Sequence, residues 1–360
     1  MNRSFLETLT STKLQLGLIF LTSLYIFTLL YIQYKTPYYP EPIELLPQIN
    51  EQTKRLASTI TVGLHVRKFP DFSFTTQTFV MDAIVWFRFP QATETLDTLE
   101  KFTFQDSLPL PTGDLILKSP PIIKLIGSEV LVSYHILVKF KSEQLFQQFP
   151  LGGHRLIFTL TNKSATSHEL NFITQSNNLT LAEKNHGTWQ AQKTFAQSGY
   201  IKSVLTSQDP AMAIDYPAVV FAIDFDSIGA RDLFSLYFPL FVIFFINLLG
   251  LIIDIFNFTG LTIIATTLPL LVLYRLVIQG VSPEITYNSH IDFTFYTLVF
   301  LSMLIFFIQA YVCLETQKIK EKEEFVLQKT MLEKLETINH ISFFVIPFLL
   351  ILLMTYAFLR

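Results

Sequence analysis

The chain has 360 residues, half of them apolar and only 15% charged, with 36 phenylalanines, and its mean hydropathy is +0.42. Soluble domains carry about 25% charged residues, so this balance argues against an ordinary soluble enzyme. A net charge of −3 offers no basic surface for nucleic acid, and the single cysteine, Cys313, leaves no intramolecular disulfide to hold a domain together.

A membrane-spanning helix needs about 20 mostly apolar residues. Five stretches approach that length: 16–32, 233–253, 261–278, 293–313 and 341–359. The first also reads as a signal peptide. Its apolar run, however, outlasts the ~7–15 residues of a signal core. No small-x-small cleavage site follows it in Gln33-Tyr34-Lys35-Thr36. Residues 1–34 are therefore read as a cytoplasmic tail and an uncleaved anchor. Residues 35–56 are Pro-rich, then amphipathic (Ile43, Leu45, Leu46, Ile49), which predicts a linker with a short helix.

Residues 57–231 alternate apolar and polar in the manner of strands, for example at 59–66, 78–89, 129–140, 154–161 and 219–225. Turn signals separate them: Phe69-Pro70-Asp71, Pro111-Thr112-Gly113, Ser119-Pro120-Pro121, Leu151-Gly152-Gly153 and Asn185-His186-Gly187. Short strands with no long helix between them predict an antiparallel sandwich. Residues 232–360 hold the last four apolar stretches, with a charged loop at 315–340. That loop, with Lys320, Glu321, Lys322, Glu323 and Glu324 ahead of Phe325, Leu327, Met331 and Leu335, reads as a solvated helix continuing the fourth stretch.

Lysine and arginine in short loops set orientation. The 315–340 loop holds five lysines, the N-terminal tail holds Arg3 and Lys13, and the connector 279–292 holds neither type. Five spans then place the tail and the lysine-rich loop in the cytoplasm, and residues 35–230 and the C-terminus outside. The expected location is a cell membrane, crossed several times.

No chemistry stands out in the outer region. His65, His135, His154, His168 and His186 lack metal-ligand spacing, and no phosphate loop or nucleophile elbow is visible, so no enzyme, cofactor or metal is expected. The sequons at Asn162 and Asn178 matter only in a glycosylating host.

Several segments fall in an order that resembles the pentameric ligand-gated ion channel family, the Cys-loop receptors and their bacterial relatives. Residues 61–66 and 79–89 look like its first two receptor strands. Phe149-Pro150-Leu151-Gly152-Gly153-His154 sits where the family has Phe-Pro-x-Asp. Gly187-Thr188-Trp189 looks like its Gly-Glu-Trp strand start. Arg231 followed by Pro239, and Ser282-Pro283-Glu284-Ile285-Thr286-Tyr287, resemble the entry to its first channel helix and the linker after its pore helix. The resemblance covers roughly 57–360. It implies an all-β outer sandwich followed by a four-helix transmembrane bundle, here with an extra N-terminal anchor helix. It also implies a homopentamer in the lipid bilayer, gated by a small ligand or a proton and passing ions. The chain departs from the pattern at Gly152, where the family has Asp, and in the missing cysteine pair. It also departs at Asn162-Lys163-Ser164, where animal receptors hold an aromatic ligand contact, and this argues against a cation held by cation–π contacts.

If five copies ring a pore, the helix at 259–279 lines it. By helical spacing one face runs Thr259, Thr262, Thr266, Pro269, Leu273, Leu276, with Phe258 just before. Hydroxyls can replace part of an ion's hydration shell and a ring of apolar side chains can gate by dewetting, which places the gate near 269–273. Alternatively Thr262 and Thr266 bond neighbouring helices. Pro269 predicts a kink, either static or a hinge. For selectivity the candidates are Asp254, Phe258 and Arg275: an Asp254 ring would attract cations and an Arg275 ring would repel them, while snorkelling to water is an adequate account of Arg275. The leaning is toward poor cation selectivity.

Coupling is expected where Phe69 and Pro70, in the turn 68–74, and Phe149, Pro150 and Gly152 press on 281–287, with Pro283 and Tyr287 receiving them and Arg231 at the domain junction. The loop 206–215 is expected to close over a ligand site, with Trp189, Tyr200 and Tyr216 its nearest aromatics; all three also fit simple packing. A non-conducting receptor or assembly protein on the same fold is the competing function.

Overall fold

The computed structural model describes residues 11–35, 43, 46–48, 57–73, 76–91, 96–141, 149–150, 152–186, 189–205, 212–227, 231–253, 258–282, 288–320 and 325–359. The chain divides into a β unit, Tyr38–Leu145 with Gly153–Ile228, and a helical unit, Met1–Pro37 with Phe146–Gly152 and Gly229–Arg360.

The β unit contains β1 (Ser58–Ser73), β2 (Thr78–Pro90), β3 (Phe102–Phe104), β4 (Ser107–Leu108), β5 (Ile116–Lys118), β6 (Ile122–Ile126), β7 (Glu129–Lys141), β8 (His154–Asn162), β9 (Leu170–Ile173), β10 (Leu179–Leu181), β11 (Asn185–His186), β12 (Trp189–Val204) and β13 (Ala213–Ser227). One sheet runs β10-β1-β2-β7-β4, with β5 and β6 also on β7 and β9 on β1; the other runs β11-β12-β13-β8-β3. The alternation seen in the sequence is the alternation of burial. Strand β2 buries Phe79, Met81, Ala83, Val85, Phe87 and Phe89, and β7 buries Val132, Tyr134, Ile136, Val138 and Phe140. They share one core with Phe158, Phe221, Ile223 and Phe225 of the second sheet. Each of the valine, isoleucine, methionine and phenylalanine side chains among them contributes about 1.5–3 kcal/mol by leaving water, which lets the unit cohere without a disulfide. Gly63 lies opposite Trp86 in the β1–β2 ladder. A β-carbon there would sit 2.1 Å from the Trp86 ring, so the indole lies over bare backbone. Across the second sheet Arg155 donates two hydrogen bonds to Asp224, at 2.6 and 3.0 Å.

The signal Phe69-Pro70-Asp71 does not form a turn. Strand β1 continues through it to Ser73, with register shifts after Val66 and after Lys68. Such irregularity needs no ladder hydrogen bond from Pro70, which has no N–H to give. The Phe69 ring meets those of Phe158 and Phe225 at centroid distances of 6.5 and 5.9 Å, so it packs on the core rather than presenting itself at a loop tip. The expected helix within 35–56 lies largely outside the described residues. Residues 46–48 are not helical; they lie along β12, where Tyr200 N donates to the Pro47 carbonyl at 3.2 Å. A short helix, α2 (Leu96–Glu100), buries Leu99.

The helical unit contains α1 (Thr12–Lys35), α3 (Arg231–Leu249), α4 (Thr259–Val281), α5 (His290–Lys320) and α6 (Phe325–Leu359). Among the described residues four helices are long and apolar enough to cross a membrane: α1, α4, α5 and α6. The fifth apolar stretch, 233–253, is helical only to Leu249. Beyond it Gly250, Leu251 and Ile252 donate to carbonyls three residues back, a tightening that ends a helix. Gly250 and Gly260 then meet so closely that a β-carbon on Gly260 would lie 2.6 Å from the Gly250 carbonyl oxygen.

All five helices contribute to one apolar core, including Leu30 of α1, Phe241 of α3, Ile264 of α4, Leu301 of α5 and Phe343 of α6. The N-terminal helix is therefore a packed member of the unit. Gln15 Nε2 lies 2.9 Å from His340 Nδ1 near one end of α1, and Gln33 Nε2 donates to the Phe358 carbonyl at 2.9 Å near the other, so α1 and α6 run parallel. Beyond the long apolar runs, α5 and α6 continue side by side, with Ile319 against Leu335.

Candidate functional site

Helix α4 is buried on one side only. Gly260, Ile264, Thr267, Leu271 and Ile278 are its buried residues, a stripe at helical spacing that faces α3 and α5. Thr259, Thr262, Thr266, Pro269, Leu273 and Leu276 are all exposed within the chain. Phe258 precedes the first turn and is also exposed. Two of the three hydroxyls on this open face bond their own helix. Thr262 Oγ1 donates to the Phe258 carbonyl at 3.0 Å, and Thr266 Oγ1 donates to the Thr262 and Ile263 carbonyls at 3.1 and 2.8 Å. Their protons are thereby committed inward, and the remaining lone pairs are acceptors. The threonine that reaches a neighbouring helix is Thr267, whose Oγ1 donates to Asn247 Oδ1 of α3 at 3.1 Å.

The guanidinium of Arg275 is not a free charge. It forms an ion pair with Asp292 of α5 and lies over the rings of Phe295 and Tyr296, 5.5 and 5.4 Å from their centroids. Asp292 is held from behind: Ser289 N and Ser289 Oγ donate to its second oxygen at 2.9 and 2.7 Å. Ser289 and Asp292 thus cap the start of α5 in the manner of a capping box, with Asp in the place of the usual Glu. The carboxylate joins the C-terminal part of α4 to the first turn of α5. Asp292 was not a candidate from sequence, although Ser-x-x-Asp ahead of an apolar run is a readable cap signal.

Phe149 belongs with the helices. Its side chain packs against their core, and its carbonyl accepts from Ile291 N, next to Asp292, at 3.4 Å. Pro150 follows it in the same unit. Gly152 takes φ +93°, the left-handed region that favours glycine. Arg231 begins α3. Asp254, Pro283 and Tyr287 lie outside the described residues, as does most of the 206–215 loop.

The three aromatic ligand candidates do not converge. Trp189 is buried in the β core, its ring 4.5 Å from that of His154 and edge-on to it. Burial pushes the His154 imidazole down to about 3, so it is neutral at ordinary pH. Tyr200 and Tyr216 lie toward the opposite end of the β12–β13 hairpin, roughly 35 Å along the strand at about 3.3 Å per residue. Tyr200 is paired with Pro217 and Tyr216 with Ile201, and neighbouring positions on a strand face opposite ways. Asn162 is buried and donates to the Thr98 carbonyl at 2.6 Å, so this sequon is closed to glycosylation. Among the described residues no group of His, Cys, Asp and Glu could hold a metal ion. No protein-family model matches this sequence, and no curated protein matches it.

Proposed function

We propose that the chain is one subunit of a ring-shaped ion channel of the pentameric ligand-gated kind. In this reading the β unit is an outer sandwich that receives a small ligand or a proton, and α4 lines the pore. The observation that carries it is the one-sided burial of α4. Its uncovered face, which also takes in Ala265, Leu270, Val272 and Val277, includes a row of hydroxyl residues giving way to leucines of the kind a pore requires: acceptors to replace ion hydration, then an apolar stretch to dewet. The alternative of threonines spent on helix contacts loses support, because Thr262 and Thr266 bond their own backbone.

The direction of the helices favours five crossings. With four alternating spans α1 and α6 would be antiparallel; with five they are parallel, as Gln15–His340 and Gln33–Phe358 have them. The 19 residues of α3 rise about 28 Å, close to the ~30 Å of hydrocarbon. The lysine-rich loop then lies in the cytoplasm and the β unit outside. Exposed apolar side chains on β6, among them Ile122, Ile123, Leu125 and Ile126, and Leu205 and Met212 at the β12–β13 end, are surfaces that neighbouring copies would cover.

The test is a subunit count in lipid nanodiscs by native mass and rotational symmetry, followed by ion flux into vesicles. Five-fold rings with flux support the reading. Rings without flux would leave a non-conducting receptor on the same architecture, and a persistent monomer or dimer would remove the pore.

A further inference from the structure

Between α1 and α3 lies a cavity of about 230 Å³. Phe27, Leu30, Tyr31 and Tyr34 of α1 wall one side, and Phe234 and Tyr237 of α3 the other. An apolar cavity of about 150 Å³ already holds a benzene ring, so this one has room for a stretch of hydrocarbon. It sits at the C-terminal end of α1, a helix apolar enough to cross a membrane, beside the first turns of α3. The helix ends there with the residues that mark a membrane–water boundary: two tyrosines and Lys35. The Lys35 ammonium lies 5.9 and 5.6 Å from the ring centroids of Tyr31 and Tyr34, both of which line the cavity. Among the described residues no carboxylate pairs with it.

We propose that this cleft is a binding site for one anionic phospholipid, with an acyl chain in the cavity and the phosphate at Lys35. The arrangement pairs a hydrocarbon slot with a cation at its mouth, at the depth where a phospholipid changes from tail to head group. A bare hydrophobic molecule would fill the slot but leave the cation without a counter-ion. Inorganic phosphate would meet the cation but gain nothing from the slot. The site depends on the packing of α1 against α3 and on a membrane setting, and is independent of any ion conduction.

The test uses the intact protein in phosphatidylcholine vesicles containing a minor fraction of phosphatidylglycerol with a photoactivatable diazirine in one acyl chain. Irradiation and peptide mapping are expected to put the adduct on α1 residues 27–34 and α3 residues 233–237. Unlabelled phosphatidylglycerol should displace it, and equal amounts of phosphatidylcholine or inorganic phosphate should not. Leu30→Trp, which fills the slot, should abolish the adduct. Lys35→Gln, at an exposed position, should lower it about fivefold, the weight of one lysine at an anionic surface. Labelling unchanged by Lys35→Gln, or displaced equally by phosphatidylcholine, would overturn the proposal in favour of ordinary surrounding lipid. A crosslink from α1 of one copy to α3 of another would overturn it in favour of a protein occupant.

Discussion

Neutralising Arg275 separates two accounts of that residue, because the pair it forms has a definite surrounding. Arg275→Gln leaves Asp292 with its Ser289 bonds but no cation. Stranding one partner of a fully buried pair costs about 3–5 kcal/mol. Here the two side chains are 24% and 8% exposed, so water shares in the compensation, and the expected cost is about 2–3 kcal/mol. Asp292→Asn should cost a similar amount, since it strands the guanidinium and weakens the cap of α5. The double variant, with both charges gone, should fall short of the sum by about 1–2 kcal/mol. Equilibrium unfolding of the purified protein in mixed micelles, followed by helix content, measures all three. Effects that add to within about 0.5 kcal/mol would mean that the two groups do not interact and the reasoning fails. A second reading is available if the protein conducts. A neutral ion pair contributes little field to a pore, so the double variant, which removes both charges at once, should leave the reversal potential under a salt gradient unmoved. A shift toward the cation potential would show an unpaired ring and return Arg275 to the role of a cation barrier.

Gly63→Ala should destabilise the β unit by about 2 kcal/mol or more, because the Trp86 ring occupies the space of the new methyl group; a denaturant midpoint read from tryptophan fluorescence measures it, as Trp86 and Trp189 are the protein's two tryptophans and both lie in that unit. Lowering the pH should weaken the same unit. His154 is neutral in the fold down to about 3, whereas in the unfolded chain it takes a proton near 6.5. Its contribution is therefore whole above 6.5 and is lost progressively as the pH falls toward 3, by at most about 1.4 kcal/mol per pH unit. The midpoint of His154→Gln should show a shallower slope across that window, and an unchanged slope would contradict the assignment. Leu273→Ser, on the open face of α4, should make vesicles leak ions without a stimulus if a dewetted apolar ring closes the pore, with little change in the unfolding midpoint because the side chain is mostly exposed within the chain.

What could be read from the sequence follows from how many forces a residue answers to. In β2 and β7 one sheet face meets the core and the other does not, so burial has period two and the letters show it. Strand β12 mixes buried, half-buried and exposed positions without a clean period, and of it only the start at Trp189 was legible. The segment 69–71 misled because Pro-Asp is a turn signal wherever the backbone is free to choose; here Phe69 answers to the phenylalanine cluster around it instead. The open face of α4 was legible because threonine is conspicuous among leucines. The partner of Arg275 was not, because Asp292 lies 17 positions later and pairing across a helix connection leaves no local pattern. Gly152 was legible within the turn signal 151–153, and its positive φ is the backbone reason for glycine there.

The apolar run of α1 gives an anchor from composition alone, yet its few polar residues say more. Gln15, Thr22 and Gln33 recur near one side of the helix, among Ile26 and Leu30, and of these Gln15, Thr22, Ile26 and Leu30 are buried. A helix facing lipid on all sides has no reason to gather its amides on one stripe, since each would lack partners in hydrocarbon. A helix packed against others has that reason, because interhelical hydrogen bonds fix register where apolar packing alone is indifferent to sliding. Gln15 and Gln33 meet α6 near its two ends of contact, at His340 and Phe358, and Tyr25 meets Thr355 between them in the α1 sequence. Polar contacts so spread set direction as well as depth, since reversing α1 would carry Gln15 to Phe358 and Gln33 to His340 while misplacing Tyr25. The same stripe therefore makes α1 a structural fifth helix and builds the cleft against α3, and removing or reversing it would remove the cleft as well.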